Sequence, residues 1–500
     1  MKILLLYPQY TYIGKFDSRA LSMALTYLGS VLKSRGHKVT IYNASLGPII
    51  NTGGLYRYGA SEEETKEFIA RTPFDLVGIT CAISSQWKFT AALAKQVKDV
   101  SSKAIVAVGG LYPTYHWKEC LGENTSVDVI FLGEAELSFA EFVDHLSCGQ
   151  NLAGSCQPLD GVAWKSQGQI YHNPKTEYNH HLDSLPFPDW HLIDLEKQFS
   201  VQKKLIHLPA RSLPILSSRS CPNRCSFCNM YITHGSRWRP RSAENVVQEI
   251  DYLIKEFNIN YFYFIDDNFS FDNARAKRIC RLIIEQKLRI RYTFPNGLSI
   301  KTIDKELVEL MKASGCLGVC LAVESGSNRI RNEIYKKNLK EEDVLRVCRL
   351  FHEFKIPTQV FFMIGAPTET EEDVNQTKKL IARLPMDLAS VSVYTPYPGT
   401  ALYEQCLKNG WISENPLEEA DTMDFFSPVL QMKNPSPNDV RRWQLELYMT
   451  FLTTHFFAVI RKMFSPESIL NLENFLRFTN IVKHHCRLFV SSLLHQKPAP

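Results

Sequence analysis

Short apolar runs rich in β-branched residues alternate, along the first 150 residues, with stretches whose apolar positions recur at helical spacing. The runs are Ile3–Tyr7, Lys38–Tyr42, Leu76–Cys81, Ala104–Val108 and Val129–Leu132, and the amphipathic stretches lie around 20–35, 62–71, 87–99 and 135–147. Continuous apolar strands separated by helices predict a parallel sheet buried on both faces, here an α/β, doubly wound (Rossmann-like) domain over residues 1–150. Such sheets bind ligands at the carboxyl ends of their strands. Those ends lead into Ala82–Gln86, Gly109-Gly110 and Gly133-Glu134. Residues 151–205 read as a linker region with room for one hairpin, because turn formers dominate it, as in Leu185-Pro186-Phe187-Pro188.

A second alternation fills residues 206–410. Its strand candidates are Pro214–Ser218, Tyr261–Asp266, Tyr292–Pro295, Gly318–Glu324, Gln359–Gly365 and Ala389–Tyr394, with helices expected over 242–257, 273–287, 303–314, 340–354 and 369–383. Strands and helices in this order predict a partial (β/α)6 TIM-type barrel with its chemistry at the strands' carboxyl ends. Residues 411–500 carry aromatic helical segments and no comparable strand signal, so a helical C-terminal region is expected.

Composition narrows the class. At 45% hydrophobic and 22% charged residues, a chain of 500 residues has ample material for a core, which excludes disordered and fibrous proteins. A net charge of +5 is too small at this length for a dedicated nucleic-acid binder, so no nucleic-acid partner is expected. The start, Met1 to Pro8, has too short an apolar run for a secretory signal, and no uncharged apolar run reaches the ~18 residues that span a bilayer. A cytoplasmic location follows as an expectation. There, 13 cysteines suggest metal or thiol chemistry rather than a disulfide framework. The stretch from Arg441 to Phe464 is apolar and aromatic between basic ends. It suits a helical cap on the barrel or, alternatively, peripheral contact with a membrane surface.

The strongest chemical signal follows the first barrel strand: Ser220-Cys221-Pro222-Asn223-Arg224-Cys225-Ser226-Phe227-Cys228. Thiolates are soft ligands for zinc and iron–sulfur centres. Structural zinc usually takes four ligands arriving as pairs, and no second close pair follows. Three ligands leave one coordination position open, which suits catalysis. A non-catalytic, zinc-stabilised α/β protein is the alternative of another class.

These residues resemble the hallmark of the radical S-adenosylmethionine (radical SAM) enzymes, C-x3-C-x-aromatic-C, with Cys221, Cys225, Phe227 and Cys228 in register. The resemblance implies that the three thiolates bind a 4Fe-4S cluster whose open iron chelates S-adenosylmethionine. Reductive cleavage would then yield a 5′-deoxyadenosyl radical that takes hydrogen from a small-molecule or lipid-like substrate. An external electron donor such as a flavodoxin or ferredoxin is implied as a partner. Further barrel segments fit the family: Phe264-Ile265-Asp266-Asp267, Val323-Glu324-Ser325-Gly326 and Phe362-Met363-Ile364-Gly365-Ala366-Pro367. On that basis Phe227, Asp266, Asp267, Glu324, Ser325, Ile364 and Gly365 are the expected S-adenosylmethionine contacts, with Glu324 on the ribose hydroxyls.

A doubly wound domain ahead of such a barrel is similar to the layout of the cobalamin-dependent branch of this family. That branch includes radical SAM methyltransferases and the anaerobic magnesium-protoporphyrin IX monomethyl ester cyclase. By this resemblance Ser84, Ser85, Gly109, Gly110, Gly133 and Glu134 become candidate cobalamin contacts, the glycines allowing close approach of a flat macrocycle. The motif D-x-H-x-x-G, which supplies an axial histidine in classical carriers, is absent from residues 1–160. The implied activity is methylation of an unactivated carbon, or of phosphorus. Oxidative ring closure on a porphyrin ester is the alternative within the family.

Overall fold

The computed structural model describes residues 1–13, 22–52, 55–82, 86–123, 126–201, 211–412 and 428–463. Alternation along Lys2–Tyr7 (β1) sends Ile3 and Leu5 into one apolar cluster and Leu4 and Leu6 into another. A strand buried on both faces belongs inside a parallel sheet covered by helices. Accordingly β1 lies between Lys38–Asn43 (β2) and Leu76–Thr80 (β3), and Ile105–Gly109 (β4) and Val129–Phe131 (β5) extend the sheet, all in parallel. The helices Met23–Ser34 (α1), Glu62–Arg71 (α2), Trp87–Val100 (α3) and Glu136–Ser147 (α4) fall within two or three residues of the positions the periodicity predicts. Ser61 starts α2 with a reciprocal capping box to Glu64.

The sheet continues beyond residue 150. Val162–Ser166 (β6) and Gln169–Asn173 (β7) form a hairpin that joins antiparallel to β5, giving seven strands in the order β7-β6-β5-β4-β3-β1-β2. Sequence periodicity also passed over a small antiparallel sheet of Tyr10–Ile13, Leu55–Tyr58 and Ile49–Thr52. The Gly53-Gly54 pair between two β-rich tetrads was the available hairpin signal.

A second compact unit, chiefly residues 206–229 and those from 242 onward, holds six parallel strands. These are Leu213–Ile215 (β8), Tyr261–Phe264 (β9), Arg291–Leu298 (β10), Cys316–Glu324 (β11), Thr358–Ile364 (β12) and Leu388–Val393 (β13), paired in sequence order. Between them run Ala243–Phe257 (α5), Asn273–Glu285 (α6), Lys305–Ser314 (α7), Glu341–Glu353 (α8) and Glu371–Arg383 (α9). Ser242, Asp272, Asp304 and Thr370 cap the starts of α5, α6, α7 and α9 with their side chains. Six strands in an open order make a partial barrel, so β13 keeps an edge.

The long helix Pro437–Met463 (α10) covers that edge. Gln444 Nε2 donates to the Val391 carbonyl at 2.8 Å, and the Tyr448 hydroxyl lies 3.1 Å from the Val391 amide and 3.2 Å from its carbonyl. An unpaired sheet edge is otherwise a template for misassembly. The described part of the tail is thus the helical cap, and no helix among the described residues is long and apolar enough to cross a membrane. Replacing both Gln444 by Leu and Tyr448 by Phe strands two buried backbone groups. We expect a loss of about 2–4 kcal/mol, read as a lower thermal midpoint. An unchanged midpoint would mean the edge needs no cover.

Candidate functional site

The cysteine loop leaves β8 and is fixed from below by two carboxylates. Asp266, only 2% exposed, accepts from the Ser217 hydroxyl at 2.7 Å, the Ser218 hydroxyl at 2.5 Å and the Ser217 amide at 3.2 Å. Burial pushes its carboxyl up, against the opposing pull of Arg275 and these hydroxyls. Asp267 takes the Ser220 amide at 2.9 Å. Asn268 donates to the Cys221 sulfur at 3.3 Å, a contact the sequence did not single out. The adjacent pair after β9 therefore shapes the loop that carries the thiols.

The rest of the loop is equally held. The Ser226 amide donates to the Tyr335 carbonyl at 3.1 Å, its hydroxyl to the Ile334 carbonyl at 2.5 Å, and its own carbonyl receives the Leu402 amide at 3.0 Å. Cys225 is buried, Cys221 and Cys228 are half-buried, and none is in a disulfide. Burial raises the Cys225 thiol, while the Lys337 ammonium pulls it back down. Phe227 packs edge-on against Tyr335, with ring centroids 5.2 Å apart. Among the described residues no three His, Cys, Asp or Glu side chains converge as ligands of one metal ion. A cubane cluster holds its thiolates farther apart than a single ion does, and three soft donors on one preformed loop fit that larger group.

Glu324 ends β11 with a left-handed φ of +70°, where the β11–β12 register slips. Its Oε1 accepts from Lys337 Nζ at 2.6 Å, and no described residue bonds its second oxygen. Ser325 is fully buried, its hydroxyl occupied by the Ser327 amide at 3.1 Å and by Thr377 at 3.2 Å. At the end of β12, Ile364 is buried and its carbonyl takes the Tyr394 amide at 2.7 Å. Gly365 has φ +81° and donates, with Ala366, to Glu369 Oε2 at 2.6 and 3.1 Å. Burial pushes the Glu369 carboxyl up to about 8. Glu369, Lys337 and Asn268 are the site residues that motif spacing did not select.

The carboxyl ends of the first sheet gather differently. Gly110 has φ +119°, and a Cβ there would lie 2.3 Å from the Cys81 carbonyl oxygen. At Gly133, with φ +62°, it would lie 2.8 Å from the Thr233 carbonyl oxygen, whereas Gly109 has only ordinary contacts. The close approaches at Gly110 and Gly133 are thus to the protein's own backbone. Both Glu134 oxygens pair with Arg239, at 2.9 and 2.5 Å, beneath a cation–π contact of Arg239 with Tyr178 at 5.2 Å. Ser84 and Ser85 lie outside the described residues. Nearby, Trp87 stacks on Tyr112 with centroids 5.6 Å apart, and His116 lies tilted against the Tyr112 ring at 4.6 Å. Gln86 is fully buried, takes the Ala82 amide at 2.8 Å, and its Nε2 makes no hydrogen bond of ordinary geometry. An aromatic wall at the strand ends fits a large flat cofactor.

Residues 215–381 match the Radical SAM superfamily and residues 11–143 match the B12 binding domain. The chain is 29% identical over 380 residues to an uncharacterised methyltransferase of Pyrococcus horikoshii, covering 75% of this chain and 78% of that one. It is 28% identical over 469 residues to the cytidylyl-2-hydroxyethylphosphonate methyltransferase of Streptomyces wedmorensis, covering 86% of each. Among solved structures it resembles OxsB, a cobalamin-dependent S-adenosylmethionine radical enzyme with aqua-cobalamin bound. The TM-score is 0.70 at 16% identity, over 97% of this chain and 71% of that one, a likeness of fold.

Proposed function

The chain belongs to the radical SAM enzymes that carry a B12 binding domain, and from that premise we propose that it methylates an unactivated carbon, or phosphorus, of a small-molecule substrate. The observation that carries the reading is the thiol loop Cys221–Cys228, pinned in place beside Glu324 at the carboxyl ends of a partial barrel. The cofactors proposed are a 4Fe-4S cluster on Cys221, Cys225 and Cys228, S-adenosylmethionine, and cobalamin on the first sheet. Together they supply an adenosyl radical for hydrogen removal and a methyl group for the resulting substrate radical. This chain's residues bind and orient. Asp266 and Asp267 fix the thiol loop, and Glu324 offers its unbonded oxygen to ribose hydroxyls. Glu369 holds the Ile364–Ala366 turn that would flank the adenine. Methyl transfer is preferred to ring closure because both relatives above carry methyltransferase names.

Protein purified without oxygen, reconstituted with iron, sulfide and cobalamin, and given a reductant tests the reading. Formation of both 5′-deoxyadenosine and S-adenosylhomocysteine, with the second dependent on cobalamin, is the expected result. In protein with a full cluster and candidate substrate, 5′-deoxyadenosine alone would turn the reading toward a cyclase. Colourless, air-stable protein holding zinc would replace it with the structural alternative. Glu324→Ala should keep its iron yet bind S-adenosylmethionine at least tenfold more weakly, as expected for loss of a charge-assisted hydrogen bond worth about 1.5–3 kcal/mol. Equal affinity by equilibrium dialysis would remove that role.

A further inference from the structure

Lys337 sits in a polar run, Lys336-Lys337-Asn338, that sequence pattern would assign to solvent. The backbone delivers it inward. Lys336 and Asn338 both hold left-handed conformations, with φ +55° and +51°. Such a conformation is strained for a residue other than glycine and persists where surrounding structure over-determines it. Arg331 supplies that restraint. It is 1% exposed and donates to the Ser325 carbonyl at 2.6 Å and to the Leu339 carbonyl at 2.8 Å. One guanidinium thereby ties the residue after Glu324 to the second residue after Lys337. Arg331 lies on a π-helical turn, Arg329–Ile334, a form that recurs at functional sites.

The result of this construction is a salt bridge set inside the site. Lys337 Nζ is 2.6 Å from Glu324 Oε1, with side-chain exposures of 16% and 11%, and 6.0 Å from the centre of the Phe227 ring. Phe227 and Cys228 are consecutive on the thiol loop, so the ammonium faces the same space as the thiols. Exposed lysines form weak, mobile pairs. This one is held by strained backbone on both of its sides and by a buried clamp.

We propose that Lys337 is a positioning residue that orients Glu324 and provides a permanent positive charge beside the thiol loop, making a cluster bound there easier to reduce. The proposal rests on the preceding reading that Cys221, Cys225 and Cys228 hold an iron–sulfur cluster. Thiolate ligation makes such a cluster anionic, and net charge nearby is one of the properties that set its potential. A single charge about 12 Å away, in surroundings of effective dielectric about 20, changes the reduced-to-oxidised ratio by about tenfold, and a closer one changes it more.

The test is an anaerobic redox titration of the cluster by electron paramagnetic resonance, in full-length protein reconstituted with iron and sulfide only. At the potential that half-reduces the wild-type cluster, Lys337→Met should lower the reduced-to-oxidised ratio by about tenfold or more, and Lys337→Arg should restore it. A structural role alone would reduce the iron content per chain without moving this ratio. Glu324→Gln provides a second reading: removing the paired negative charge should shift the ratio upward. If Lys337→Met holds a cluster and titrates like wild type, the proposal fails. If Lys337→Met holds no cluster, an unchanged ratio in Glu324→Gln overturns it instead. Wild-type protein that binds no cluster would defeat the cluster reading itself, which is a distinguishable outcome.

Discussion

Cys225→Ala should yield a folded protein that holds no iron–sulfur cluster and does not cleave S-adenosylmethionine. The loop around Cys225 is held by the Ser226 bonds to Ile334, Tyr335 and Leu402 and by the Cys228 amide on the Cys225 carbonyl at 3.1 Å. None of these uses the sulfur. Alanine therefore leaves the loop in place and removes only the ligand, at a stability cost of about 1 kcal/mol for a small buried cavity. The expected readings are a near-unchanged melting midpoint without iron, loss of the charge-transfer absorption around 400 nm, and no 5′-deoxyadenosine. The separation matters. A purely structural triplet would show the reverse, with a large loss of stability and no change in any cofactor property. Cleavage retained in Cys225→Ala would remove the central assignment.

The parts of this molecule that were legible in its sequence are those governed by local periodicity. Every strand and helix named from apolar spacing in the two α/β units forms, because burying both faces of β1 or one face of α5 leaves the chain little choice. The thiol loop was legible because three like ligands at short spacing have few other reasons to occur together. What the sequence hid are partnerships set by distant residues. Asp266 and Asp267 read as carboxylates near a cofactor. Nothing local told that they would also accept from Ser217, Ser218 and Ser220, some 47 to 49 positions earlier. Nothing local to Lys337 tells that Arg331 will bind the Ser325 and Leu339 carbonyls and turn the lysine inward. The edge of β13 is covered by side chains more than 50 residues away. Motif spacing locates a site, whereas the duty of each polar atom depends on which long-range contact satisfies it.

Gly110→Ala should destabilise the cofactor-free protein by about 3 kcal/mol or more, a fall of several degrees in its melting midpoint. Two independent features require glycine there. Its φ of +119° with ψ −174° lies in a region that essentially only glycine occupies. A Cβ would also sit 2.3 Å from the Cys81 oxygen and 2.7 Å from the Cys81 carbonyl carbon, and backbone cannot swing aside as a flexible side chain can. Cys81 is the residue after β3, and its amide already bonds the Gly109 carbonyl at 2.7 Å. The substitution therefore pries apart the carboxyl ends of two adjacent strands, the place where this fold receives a ligand. Glycine chosen to admit a macrocycle would predict the opposite pattern. Alanine would then leave the cofactor-free protein as stable as wild type and weaken only cobalamin binding, read by spectroscopic titration. An unchanged midpoint in the absence of cobalamin would return Gly110 to that role. The expected fall would show that strand packing alone demands glycine here, with any loss of cobalamin binding following from the displaced strand ends.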